Sequence, residues 1–600
     1  MPRKASGEIK TRIVRQQQKN GDIYILERKT QYDPDKKYNR VISTTLINKI
    51  PKGSSEPVPT RPKRSKKPSI PAAALTSIPS GNELSATRRR TGMMDIVEAI
   101  GKASGIDDAV YAHADIGTAQ KIISLARYLL CTDGQSLPGI AAWQYNHPLP
   151  YQEGISEDIY HRLFAEIGLD ESLQQNFFRD RYETVGASDG IAYDSTTYST
   201  YSEDQIEARY GFNKSGDGLK AIKYLALYSL ESRQPVAFTK QAGDLPDVVT
   251  VGNALQQLLS IGVKSAEVIT DNGYYSESNL AELFHRHFDF ITLSKPNIKW
   301  IKPEIDRHAS ELERLSSVCP YDHKTHGITV MTMHDFTRVR ERASKKSGLS
   351  RGDEESFSRR MYIHIFFNAE RKVDEDHCFE KELLSLKSSI EGGAAVSDFN
   401  DAAQKKIAKY LILRTWGSKT TVSFNEKACA AAKKYHGYFI LVASREKDTF
   451  EALRKYRKRE HIEDYFRSSK QHADSMRVRV WDPDTLRGRM FVQFVALCYY
   501  EYLSEQIRQM KATLGVPNGD PVHDLKKNLD LESKLKTWLN NTPLYLQLQW
   551  FDVVETVEIS SALRTRRFST EVTLRDQLYL ERRVCEKLSV NRISCDRIYA

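Results

Sequence analysis

Three acidic residues stand where carboxylates can act on a phosphodiester. Asp194 closes the apolar stretch "DGIAYD" (189–194), Asp271 follows "AEVIT" (266–270), and Glu463 lies within "YRKREHIEDYFRSSK" (456–470). An Asp just past the end of an apolar strand sits where sites form in α/β sheets. Two Asp and one Glu make an oxygen-only donor set suited to Mg²⁺, with Mn²⁺ as a substitute, because a hard cation prefers carboxylates and keeps positions open for water and phosphate. Such a site can activate a water or a 3′-hydroxyl for in-line phosphoryl transfer.

At about 100° per residue on an α-helix, Tyr456, Arg459, Glu463, Arg467 and Lys470 fall within an arc of roughly 80°. That face would present an aromatic ring, three cations and one carboxylate. The plainer alternative is a solvated helix with i,i+4 ion pairs from Glu463 to Arg459 and to Arg467. The two strand-end aspartates favour the site, with the cations and Tyr456 gripping a phosphate backbone beside the scissile bond.

The elements that must position these groups follow a recognisable order. "DGIAYD", "AIKYLALYSL" (221–230) and "QPVAFTK" (234–240) predict three strands. Next come an amphipathic helix over 248–262, the strand 266–270, a helix over 276–287 and the strand "FDFITLS" (288–294). Three strands, helix, strand, helix, strand is the order of an RNase H-like α/β core, expected in two parts, 185–294 and 437–482. Between them, 295–436 carries strand-like runs among charged segments and predicts a β-rich insertion. "GYFILVA" (437–443) returns to the core, and a helix over about 447–472 carries Glu463. Ahead of the core are a small basic β-unit at 1–50, a basic Pro/Ser-rich linker at 51–92 and a helical region at 93–184. A helical region, with a possible role in oligomerisation, closes the chain at 483–600.

Charge is unevenly distributed. The 600 residues sum to +11, yet residues 1–67 hold 18 Lys/Arg against 6 Asp/Glu, so the remainder is nearly neutral. Diffuse attraction to a polyanion is therefore expected at the N-terminal end. Seven scattered cysteines with no CxxC pair or zinc-like spacing predict reduced thiols in a cytosolic protein. "MPRKASGEIK" lacks an apolar signal region, and "FVQFVALCYYEYL" (491–503) is too short to span a bilayer, so no membrane role is expected.

Tyr456, Arg459, Glu463 and Lys470 reproduce the spacing Y-(2)-R-(3)-E-(6)-K. In this the sequence resembles one large group of DDE transposases from bacterial insertion sequences. "AYDSTT" is similar to the group's first-Asp motif and "ITDNGYYS" to its D-x-G-Y/F motif, with Gly273 and Tyr274 completing the latter. The resemblance covers about 185–505. It implies catalytic and metal-binding roles for Asp194, Asp271 and Glu463, and DNA contacts from Tyr456, Arg459 and Lys470. The 192-residue step from Asp271 to Glu463 suits members with a β-rich insertion. In such enzymes that insertion can supply a Trp that stacks on a flipped base, for which Trp300 and Trp416 are the candidates. "QAGDLPD" (241–247) also resembles a family stretch; Asp244 and Asp247 are rival carboxylates, adequately explained as turn or N-cap residues. His461, about 200° from Glu463 on a helix, should lie off the site. His285 and His287 are expected to be surface or core residues, and "KSGDG" (214–218) to be only a turn.

The resemblance implies an enzyme that binds terminal inverted repeats, pairs two DNA ends as a homodimer in a synaptic complex, cleaves at the element boundary and joins the 3′-hydroxyl to target DNA. It further implies a cytoplasmic, nucleoid-associated setting in a bacterium. A metal-dependent nuclease without joining activity, or a non-catalytic DNA-binding protein derived from a transposase, are the alternatives. Intact carboxylates and an intact signature weigh against the second.

Overall fold

A computed structural model of the chain describes residues 9–18, 21–33, 38–54, 56–59, 85–185, 190–340, 350–416, 419–472, 477–478, 480–560 and 565–569. Most of the expected linker (60–84) and the C-terminal stretch 570–600 lie outside the described residues. The chain divides into two units, Met1–Leu84 with Ser561–Leu563, and Ser85–Ser560 with Arg564–Ala600. The first unit is an antiparallel sheet of β1 (Lys10–Gln17), β2 (Ile23–Asp33), β3 (Tyr38–Ile50) and β4 (Val58–Pro59), in that spatial order.

The second unit opens with β5 (Ser85–Arg90) and then α1 (Gly92–Ala103), α2 (Ile106–His113), α3 (Ile116–Cys131), α4 (Ile140–Gln144), α5 (Glu157–Leu169) and α6 (Glu171–Val185). Next come β6 (Ile191–Thr200), β7 (Lys220–Ser229), β8 (Gln234–Ala242), α7 (Asp247–Ser260), β9 (Glu267–Thr270), α8 (Glu277–His285) and β10 (Asp289–Ser294). They are followed by α9 (Lys302–His308), β11 (Thr325–Val339), β12 (Glu354–Asn368), α10 (Ala369–Glu391), α11 (Asp401–Tyr410), β13 (Leu411–Trp416), β14 (Lys419–Phe424) and α12 (Glu426–Lys433). The remainder is β15 (Tyr438–Ala443), α13 (Thr449–Arg457), α14 (Glu460–His472), β16 (Arg477–Val478), α15 (Pro483–Thr513), α16 (Lys526–Asn541), α17 (Leu544–Trp550), β17 (Glu555–Ser560) and β18 (Thr565–Ser569).

One mixed sheet organises this unit, in the order β11-β12-β15-β10-β9-β6-β7-β8, with β16 joining β6. β6, β9 and β10 run parallel; the other pairs along that path are antiparallel. β6 and β7 are buried along almost their whole length, as strands covered on both faces must be. α15, 31 residues long, is buried through Met490–Tyr499 at the centre of the largest apolar cluster. Its crossing with α5 is glycine-dependent. A Cβ on Gly488 would fall 1.9 Å from the Phe164 carbonyl oxygen, and one on Gly168 would fall 1.8 Å from that of Asp484. No helix among the described residues is long and apolar enough to cross a membrane.

Three sequence expectations need correction. The segment 295–436 is not a β-rich insertion. β11 and β12 pair with each other and with β15, so they widen the main sheet. The rest is α10, α11 and α12 around the β13–β14 hairpin, with a separate core of Leu383, Leu386, Ile390, Ile407, Leu411, Val422 and Cys429. α10 is hard to see in the sequence because i,i+4 ion pairs such as Arg371–Glu375 and Lys372–Asp376 fill its exposed faces. Only Leu383, Leu386 and Ile390 mark its buried stripe. The basic run 85–90, expected in the linker, is strand β5, and the region after 483, expected to be helical, contains β17 and β18. These three form one sheet. Carboxylates opposite the arginines make it possible: Arg88 pairs with Glu555, and Arg90 with Asp552 at 2.6 Å.

The glycine crossing gives a direct test. Gly488→Ala should lower stability by about 2 kcal/mol or more, as overpacking against backbone does. Gly252→Ala, in α7 with nothing within 4 Å of the added methyl, should be neutral or slightly stabilising. Thermal unfolding of the two variants checks both.

Candidate active site

The parallel register of β6 and β9 brings the two aspartates together. The last paired residues are Tyr193 and Thr270, so Asp194 and Asp271 are the next residue on each strand. There the chains diverge: β6 continues against β7, while β9 ends and Asp271 caps a short 3₁₀ turn over Asn272–Tyr274. Asp194 is therefore within β6 rather than past its end. It is 7% exposed, whereas the Asp271 side chain is 40% exposed.

The third carboxylate arrives on a broken helix. Residues 447–472 do not form one continuous helix, as the sequence suggested. α13 ends at Arg457, α14 begins at Glu460, and the junction is tightened by bonds from Arg459 N to Tyr456 O, His461 N to Lys458 O and Ile462 N to Arg459 O. This three-residue pattern changes the angular phase between the two pieces. Arg459 consequently turns inward and is 8% exposed. α14 keeps its orientation through its apolar face: Ile462, Tyr465, Phe466 and Ser469 are buried. The Tyr465 and Tyr224 hydroxyls are 2.8 Å apart, and Ser469 meets the Tyr198 hydroxyl at 2.6 Å, fastening the helix to β7 and β6.

Arg459 is the hub. One terminal nitrogen donates to Asp194 Oδ2 at 2.9 Å; the other donates to Glu463 Oε1 at 2.6 Å and lies 3.7 Å from Asp271 Oδ2. Burial disfavours its charge, but the Tyr456 phenol and the three acids outweigh it, and its pKa is pushed above the usual arginine value. Tyr456 donates to Asp271 Oδ1 at 3.1 Å; burial and then Asp271 push its phenol up. Asp194 Oδ1 accepts from Ser195 N at 2.7 Å and from the buried Tyr274 hydroxyl at 3.1 Å. Burial raises the Asp194 pKa, against the pull of Lys214 and Arg459.

Other expected residues have different settings. Lys470, in the last turn of α14, has its pKa lowered by burial and then by the charge of Lys214. Arg467 is not drawn into the cluster; it pairs with Asp464 at 2.9 Å in solvent rather than with Glu463. Trp300 is half-buried, donates to the Tyr275 hydroxyl at 3.2 Å and packs on His334, whereas Trp416, at the end of β13, is 82% exposed. His461 is away from the carboxylates; burial and then Arg233 lower its pKa to about 4.

Two residues beside the acids were not marked as site residues by the sequence, where Lys214 only opened a turn signal and Lys223 lay inside a strand. Lys214 reaches back over Asp194, and Lys223, buried in β7, donates to Asp247 Oδ1 at 2.6 Å. Asp247 Oδ1 also accepts from Ser195 Oγ at 2.9 Å, so it braces the strand beside Asp194 rather than merely opening α7. A lysine in a buried strand becomes conspicuous only once its partner strand and helix are placed.

Among the described residues, no group of three or more His, Cys, Asp or Glu side chains is already gathered as a metal site. The donor chemistry nonetheless fits a divalent cation. Three carboxylates from separate elements already converge on one positive charge.

The profile of a family described as the transposase DDE domain matches residues 186–499. No curated protein is similar to the chain in sequence. Among solved structures, the chain is similar to a piggyBac transposase seen by cryo-electron microscopy in a synaptic complex with hairpin DNA. The identity is 9%, with 84% of each chain covered and a TM-score of 0.33.

Tyr274→Phe keeps the ring but removes a donor that holds the Asp194 pKa down. Asp194 should then stay protonated to higher pH, and the acid limb of the pH profile of any reaction that needs its carboxylate ionised should move upward. A loss of roughly tenfold in rate near neutrality would match one hydrogen bond to a charged group. A pH series comparing this variant with the wild type checks the shift.

Proposed function

The chain belongs to the transposase DDE domain family and is a DDE transposase; from that premise we propose that it cleaves DNA at the ends of a bacterial insertion sequence and joins the freed 3′-hydroxyl to target DNA. The observation that carries this is the convergence of Asp194, Asp271 and Glu463 on the Arg459 guanidinium. We further read the β6–β10 segment with β15 and α14 as an RNase H-like core. The element order of strands and helices and the split after Tyr193 and Thr270 support that assignment.

Asp194, Asp271 and Glu463 would hold Mg²⁺, or Mn²⁺ in its place. Bound there, the metal would activate the attacking oxygen and stabilise the leaving oxygen of an in-line displacement. Tyr274 and Ser195 N fix the Asp194 carboxylate, and Tyr456 orients Asp271. Arg459, released from the acids, is placed to take a phosphate oxygen, a role for which its planar fork of donors is suited. Lys470 adds a point charge for the backbone. Hydrolysis and joining both attack a phosphodiester in line, so one set of residues serves both.

Terminal-repeat recognition is assigned to the N-terminal sheet and to the helices of 93–184, with the basic segment adding salt-sensitive affinity. Two ends must meet, which favours a homodimer in the synaptic complex. Trp416 suits base stacking better than Trp300, because its ring is exposed while that of Trp300 is engaged.

With a labelled duplex carrying the element's own terminal repeat, nicking at the boundary should require Mg²⁺. Glu463→Gln or Asp271→Ala should reduce it at least about a thousandfold with end binding retained. Tight binding without cleavage in either metal would overturn the assignment. Pre-cleaved ends should be joined to target DNA, whereas nicking without joining would identify a nuclease. Removing residues 1–67 should flatten the dependence of DNA affinity on salt, measured as log K against log[salt].

A further inference from the structure

The loop between β6 and β7 is built to return one lysine to the site. Thr197 Oγ1 donates to Asn213 Oδ1 at 3.0 Å and accepts from Lys214 N at 2.9 Å. Asn213 Nδ2 donates to Ser199 Oγ at 3.0 Å and to Asp217 Oδ1 at 2.8 Å. Gly216 and Gly218, at φ 65° and 70°, close the turn in the left-handed region. "KSGDG" is thus more than a turn: it is clamped to the second half of the strand that carries Asp194. The Lys214 ammonium donates to the Ser195 carbonyl and stands 4.0 Å from Asp194 Oδ1.

Lys470 approaches the same place from α14. Its neighbour Ser469 meets the Tyr198 hydroxyl at 2.6 Å, and Tyr198 lies between Thr197 and Ser199, the residues that hold Asn213. Among the described residues Lys470 has no ion pair or hydrogen bond, and the charges acting on it are the cation of Lys214 and, with opposite sign, the Asp217 carboxylate. Two ammonium groups that act on one another repel, and the Asp217 carboxylate offsets only part of that repulsion at Lys470. A phosphodiester shared between them would reverse the sign of that interaction. The three carboxylates repel a phosphate, so a DNA strand entering beside Asp194 needs cations on that flank.

We propose that Lys214 is a further DNA-binding residue, forming with Lys470 a two-lysine clamp on one backbone phosphate at the Asp194 side of the site. The proposal rests on the transposase assignment and adds a residue outside the Tyr456-Arg459-Glu463-Lys470 spacing. Lys214 comes from the sheet and Lys470 from the helix, so the clamp closes across the two halves of the core. Its function is to seat the strand relative to the carboxylates rather than to read bases.

The test uses the full-length protein, a fluorescent duplex with the element's terminal sequence, and affinity measured across a salt series without metal. Lys214→Gln should lower the slope of log K against log[salt] by about one, as should Lys470→Gln, while Lys214→Arg restores it. Because both lysines hold one phosphate, the double variant should lose less affinity than the product of the single losses. An unchanged slope in Lys214→Gln, with only a lower melting temperature, would make Lys214 a structural tie to the Ser195 carbonyl and overturn the clamp. If Lys470→Gln still lowers the slope in that case, the transposase assignment stands without it. A wild-type chain with no affinity for the duplex overturns both.

Discussion

One buried guanidinium holds the site together. Asp194, Asp271 and Glu463 come from a strand, the turn after a second strand and a helix, and three carboxylates at close range repel one another. Arg459 lies within 2.6 to 3.7 Å of one oxygen of each. Without a cation at this point the strand ends and the helix would be pushed apart. Arg459 therefore supplies the positive charge that offsets them. The same residue has the donors to move to phosphate once the acids have another partner.

That arrangement depends on two backbone features. Parallel pairing of β6 with β9 stops at Tyr193 and Thr270, which leaves Asp194 and Asp271 adjacent at the point where the strands part. The tight junction between α13 and α14 then rotates Arg459 inward while leaving Glu463 half-exposed above it. Beneath, a layer of tyrosines prevents the helix from drifting. Tyr224 meets Tyr465, Tyr198 meets Ser469, and Tyr228 donates to Glu501 of α15 at 3.0 Å. Burial holds the Glu501 pKa up at about 8. The polar layer is satisfied within itself, which is what makes its burial tolerable and its geometry specific.

The helices before and after the core support it by close packing. α5 and α15 approach so nearly that only glycine fits at positions 168 and 488. A buried ion pair, Arg127 to Asp107 at 2.6 Å, with Tyr499 donating to the same carboxylate, ties α3 and α2 to α15. α15 also follows α14 in the chain, so the N-terminal helices and the carboxylate cluster share one scaffold.

Much of the core was legible in the sequence because its signals are local. Apolar runs marked β6 to β10 with their helices, and residue type with spacing singled out Asp194, Asp271, Glu463, Tyr456 and Arg459, all of which the fold gathers. What depends on distant partners was not legible. Ion pairs on its exposed faces disguised α10, and the arginines of β5 read as a free basic run because Glu555 and Asp552 lie more than 460 residues away. A uniform helical wheel placed Arg467 with Glu463, but within α14 Asp464, three residues before Arg467 and as exposed as it, takes that arginine. Lys214 and Lys223 acquire meaning only from β6, β7 and α7 packing together. The sequence by itself determined which groups are chemically able to act, since charge and hydrogen-bonding capacity belong to the residue. The tertiary structure decided which of them meet, since pairing register, helix phase and loop return are set by contacts between segments far apart in the chain.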